Sequence, residues 1–115
     1  GVHIAVEGSV AAVLSTNASD FLDVLNVSTP ALPVHIASVT LGPVGTGKGV
    51  TLTGGRAYVA SNTLGLQIYD LTTPSAPIAL GTVSTVGDAL DVRVQSGFVY
   101  VADFPATVDV IDLGP

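Results

Sequence analysis

The chain has 115 residues, with 3 Lys+Arg against 9 Asp+Glu for a formal charge of −6, and no Cys, Met or Trp. Disulfides and thiolate metal centres are therefore excluded, and the absence of a basic stripe to displace counterions from phosphates excludes nucleic acid as a partner. Hydrophobic residues make up 48% and charged residues 10%, too apolar for disorder, while the longest apolar runs, such as Val10 to Leu14 and Phe98 to Ala102, fall far short of a membrane span.

Taken from its start at Gly1, with no initiator methionine, basic leader or tag, the chain reads as a processed mature chain or an excerpt of a longer one. The first predicted strand alternates, with Ile4 and Val6 on one face and Ala5 on the other, and ends at the turn Glu7-Gly8-Ser9. A second strand, Ala11 to Leu14, is apolar on both faces, which predicts cover on both sides. After a loop at Thr16 to Asp20, a third strand carries Leu22 and Val24 and closes at Asn26 through an Asx turn. Pro30 and Pro33 then steer the chain out to a fourth strand, Val34 to Val39.

The same order recurs. His3 to Ser15 aligns without gaps to Gly49 to Ser61 and to Asp91 to Asp103, and Phe21 to Val27 aligns to Gly65 to Leu71 and to Thr107 to Leu113. The second unit has its fourth strand at Ile78 to Val83, whereas the third ends at Gly114-Pro115 before a fourth strand begins. Period two throughout, β-branched residues and four strands per unit of about 40 to 45 residues predict an all-β chain of propeller-type four-stranded antiparallel blades. Two blades are full, at about 1–44 and 45–87, and a partial third runs from about 88 to 115.

The segment Ala57 to Pro77, AYVASNTLGLQIYDLTTPSAP, resembles the LVIVD repeat, a bacterial and archaeal β-propeller unit. Phe21 departs from the pattern at the position of Gly65, where the first unit's loop is also longer, and in the third unit Phe104-Pro105-Ala106 replaces a Gly-containing loop. The resemblance implies a propeller on a secreted or cell-surface protein and implies no activity.

Several constellations test for chemistry. Gly42 to Lys48 spells GxxxxGK, but Gly49 stands where a metal-binding Ser or Thr is needed and the segment leads into a strand, so it reads as a connection between units. Asp103, Asp109 and Asp112 are near in sequence, yet they lack a calcium-loop spacing and Asp109 and Asp112 fall on opposite strand faces, so Asx capping is expected. His3 and His35 lie in different strands with no third ligand at metal spacing. No Gly-x-Ser-x-Gly elbow is present and no acid, base and nucleophile converge, so no enzymatic activity, metal or cofactor is expected. Asn17-Ala18-Ser19 and Asn26-Val27-Ser28 are N-glycosylation spellings, the former in a loop.

An incomplete set of blades leaves two apolar faces and a strand edge open. Low charge fits a surface buried between subunits. The reading is a non-enzymatic extracellular structural or interaction module that self-associates into a fibre or closed ring. The expected contacts are Ile4, Val6, Ala11 and Val13 on the first blade and Val108, Val110 and Ile111 on the last. The alternative is an excerpt of a larger secreted propeller that binds a protein or glycan ligand through loops Thr16 to Asp20, Gly45 to Gly49 and Phe104 to Thr107.

Overall fold

A computed structural model describes residues 3–105 and 107–113. Among them are eleven strands: β1 His3–Glu7, β2 Val10–Asn17, β3 Ser19–Asn26, β4 Val34–Gly42, β5 Gly49–Thr53, β6 Arg56–Ala60, β7 Leu66–Asp70, β8 Ile78–Val83, β9 Asp88–Gln95, β10 Phe98–Phe104 and β11 Thr107–Asp112. They form three antiparallel sheets in sequential order, β1 to β4, β5 to β8, and β9 to β11.

The repeated sequence builds repeated hydrogen bonds. Val27 N–H donates to the Ser9 carbonyl, Leu71 to Gly55 and Leu113 to Gly97, at 2.7 to 2.9 Å, one bond at the same place in each unit. The predicted Asx turns form where Asn26 Oδ1 accepts from Ser28 N–H and Asp70 Oδ1 accepts from Thr72 N–H, each at 2.8 Å. The two-residue hairpin at Gly54-Gly55 needs positive φ at both positions, 60° and 75°, which glycine adopts without steric cost.

One boundary differs from expectation. Thr16 to Asp20 is not an open loop: β2 and β3 stay paired out to Asn17 and Ser19, and Ala18 alone makes the turn at φ 62°. Asp20 is responsible, because its buried carboxylate is anchored from both sides, as described below.

The middle sheet is apolar on both faces and buries both. Val50, Leu52, Ala57, Val59, Tyr69 and Leu71 pack against Ala12, Leu14, Leu22 and Val24 of the first sheet. Tyr58, Ala60, Leu66 and Ile68 pack against Val92, Val99, Val101 and Ile111 of the third. Alternation puts these two sets on opposite sides of the same strands, so three sheets share two cores. Full burial of each large aliphatic side chain contributes about 1.5–3 kcal/mol.

Candidate functional site

Each sheet has a face that meets the unit before it and a face that meets the unit after it. The preceding-unit face of the second and third sheets is built from Val50, Leu52, Ala57, Val59 and Tyr69, and from Val92, Val94, Val99, Val101 and Ile111. The residues at the same positions of the first sheet are Ile4, Val6, Ala11, Val13 and Leu25. Nothing among the described residues covers them: Ile4 is 64% exposed and Val6 57%. Ala11 is an exception to expectation. It lies on this open face but is buried within the chain between its cross-strand neighbours Val6 and Leu25, so it offers no surface.

The following-unit face of the first two sheets is built from Ala12, Leu14, Leu22 and Val24, and from Tyr58, Ala60, Leu66 and Ile68. In the third sheet the same positions are Tyr100, Ala102, Val108 and Val110, all exposed, with Val108 at 60% and Val110 at 55%. Tyr100, Ala102 and Val108 line a hollow of about 190 Å³ together with Asp91, Val92 and Arg93. Arg93 holds one rim, donating to the Val92 carbonyl at 2.7 Å and to Asp91 at 3.0 Å. Ile111 does not belong here. It sits on the other side of β11, packed against the second sheet, because neighbouring strand residues point to opposite faces. Tyr100 and Ala102 were not singled out from the sequence, although their columns in the repeat are Tyr58 and Ala60.

A polar latch accompanies the apolar contact between the first two units. Glu7 accepts from the Gly54 and Gly55 amides of the next hairpin at 2.7 and 2.9 Å. At the same position the third unit carries Gln95, exposed beside the open face.

The glycine-rich connection Gly42 to Lys48 is already occupied by the chain's own anion. Asp20 accepts from Gly47 N–H at 2.9 Å, Gly45 N–H at 3.1 Å and Thr16 Oγ1 at 2.8 Å. Burial alone raises its pKa, but those three hydrogen bonds and the nearby Lys48 outweigh it and hold the carboxyl below its ordinary value. Amides that in a phosphate loop face a ligand here face a carboxylate. Two of the loops considered for ligand binding are thus tied to each other.

A second cluster, unforeseen from the sequence, joins Ser15, Asp23, His35 and Ser38 on the open face of the first sheet. Ser15 and Ser38 donate to the two oxygens of Asp23 at 2.6 and 2.5 Å, and His35 Nε2 lies 2.9 Å from Ser38 Oγ and 3.5 Å from Asp23 Oδ1. The same ring nitrogen faces both serine and carboxylate, and Ser38 gives its proton to Asp23, so the arrangement is not that of an activated nucleophile, whose proton passes to the histidine. Burial raises the Asp23 pKa less than these donors lower it, and the net direction is down. His3 is exposed on β1, apart from this cluster.

Among the acids near the end of the chain, Asp103 departs from the capping expectation. It is buried, and neither of its oxygens has a hydrogen-bond partner. Burial foremost, then the Asp109 carboxyl and the charge of Asp88, push its pKa up. Asn17 is exposed at the end of β2, whereas the Asn26 side chain is engaged in its Asx turn. No His, Cys, Asp or Glu side chains converge in threes on a metal-sized point among the described residues.

The sequence profile of the LVIVD repeat matches residues 44–85 and 86–113, the second and third units. No curated protein matches the chain. Among solved structures, the crystal structure of the computationally designed Ika4 protein superposes with a TM-score of 0.63 over 98% of this chain and 91% of that one, at 9% identity. At that identity the likeness is one of fold.

Proposed function

This chain belongs to the LVIVD repeat family, and we propose that it is a non-enzymatic extracellular structural module whose units are propeller-type blades and whose copies associate head to tail. The observation that carries this reading is the match between its open faces and its closed ones. Ile4, Val6, Val13 and Leu25 present to solvent what Val50, Leu52, Val59 and Tyr69 present to the first sheet; Tyr100, Ala102, Val108 and Val110 present what Tyr58, Ala60, Leu66 and Ile68 present to the third. One face of this chain is therefore complementary to the other face of a second copy, in the geometry by which its own sheets already pack. A heterologous contact of that kind propagates into a filament or, where the rotation closes, a ring.

The low content of charged residues supports the same reading. Sedimentation velocity across a wide concentration range, with negative-stain microscopy of the same samples, is the test. Mass increasing with concentration and regular filaments or rings are expected; a monomer at every concentration overturns the reading.

A further inference from the structure

Three equivalent sites close the second and third strands of each unit, and one of them is chemically different. In the first unit Ser15 Oγ donates to Asp23 at 2.6 Å, and in the second Ser61 Oγ donates to Gln67 Oε1 at 2.9 Å. In the third, the serine position holds Asp103 and the acceptor position holds Asp109. A hydroxyl donor has been replaced by a carboxyl group, which when ionised has no proton to give. Asp103 is 6% exposed and both of its oxygens are unpartnered, while Asp109 Oδ2 already accepts from Val86 N–H at 2.7 Å.

Among the described residues no lysine or arginine offsets this charge. The three Lys and Arg residues stand elsewhere, Lys48 near Asp20, Arg56 near Asp70 and Arg93 on Asp91, and His35 is engaged with Asp23. Asp88 adds a further negative charge acting on Asp103 without converging with the other two on one point. Backbone packs tightly over Asp103: a Cβ at Gly87 would lie 2.2 Å from the Phe104 carbonyl oxygen and 3.3 Å from Asp103 Cβ, so only glycine lets the chain before β9 lie this close to the carboxylate's strand. The geometry points to a divalent cation of the calcium class bound between Asp103 and Asp109, at the seam of the second and third sheets. Carboxylates and water are hard oxygen donors, which suit calcium and not zinc or copper. A site with this few carboxylates belongs with the weak extracellular class, of Kd roughly 10⁻⁴–10⁻³ M. The inference stands independently of whether the open faces associate.

The test is thermal unfolding of the whole chain at neutral pH in calcium chloride, in magnesium chloride and in EDTA, with calorimetric titration of calcium. Calcium at ten times its Kd is expected to raise the melting temperature by roughly 5 °C, and magnesium by less. Asp103→Ser, which restores the residue of the other two units, is expected to melt as high as the calcium-loaded protein and to lose the response. Should that variant fail to fold, Asp109→Asn serves, retaining shape and weakening binding at least tenfold. A calcium response that survives both substitutions overturns the assignment. So does a calcium-insensitive chain whose stability falls as pH rises through the Asp103 titration, the signature of two carboxyls sharing a proton.

Discussion

Two substitutions that each block head-to-tail assembly should restore one another when mixed. Ile4→Asp damages only the preceding-unit face, and Val110→Asp only the following-unit face. Full burial of an aliphatic side chain contributes about 1.5–3 kcal/mol. With Ile4 64% and Val110 55% exposed, more than half of that gain remains to be made at the seam, about 1–2 kcal/mol each. An unpaired carboxylate trapped there adds several kcal/mol more. A total of about 4 kcal/mol or more weakens association roughly a thousandfold, at 1.4 kcal/mol per tenfold. Each variant alone should therefore sediment as a monomer. The equimolar mixture retains one intact pairing, the Ile4 face of the Val110→Asp chain against the Val110 face of the Ile4→Asp chain, and should stop at a 1:1 dimer. Wild-type assembly by Val110→Asp alone, or a mixture that stays monomeric, would refute the head-to-tail geometry.

Gln95→Glu should tighten association several-fold in the same assay, because it recreates at the open face the carboxylate with which Glu7 accepts the Gly54 and Gly55 amides. Asp20→Ala leaves the Gly45 and Gly47 amides without their acceptor. It should cost about 2–4 kcal/mol in urea unfolding, against about 1 kcal/mol for Thr16→Ala. Asp20 and Asp23 are held below the ordinary carboxylate range in the folded chain, so their stabilisation is present above about pH 4 and is lost as pH falls through their folded pKa values. Acid titration followed by circular dichroism should show that loss steepest in the wild type and blunted in Asp20→Ala. Gly65→Ala should destabilise by about 3 kcal/mol or more, since its Cβ would lie 2.3 Å from the Val83 carbonyl at φ 84°. Gly54→Ala, open to solvent at φ 60°, should cost only about 1 kcal/mol.

Local rules carried most of the architecture. Period two decides strand, glycine at a two-residue turn decides hairpin, and an Asx residue ahead of Pro-x-x-Pro decides where each third strand stops, as at Asn26 and Asp70. Because alternation fixes which residues share a face, the repeat alone identified Ile4 and Val6, and Val108 and Val110, as surface left without a neighbour. What was misplaced needed the third dimension. Ile111 points away from Val110 into the second core, and Ala11 disappears beneath Val6 and Leu25. Asp20 converts an apparent loop into a closed hairpin by reaching 25 and 27 residues ahead to the Gly45 and Gly47 amides. Asp103 meets Asp109 where the β9–β10 register slips at Ala102/Asp103 and the chain before β9 folds over the strand ends. Strand identity follows from interactions between near neighbours and is written in the sequence as periodicity. The partners of buried carboxylates are set by packing between sheets, for which a linear pattern holds no signal beyond the substitution of one repeat's serine by aspartate.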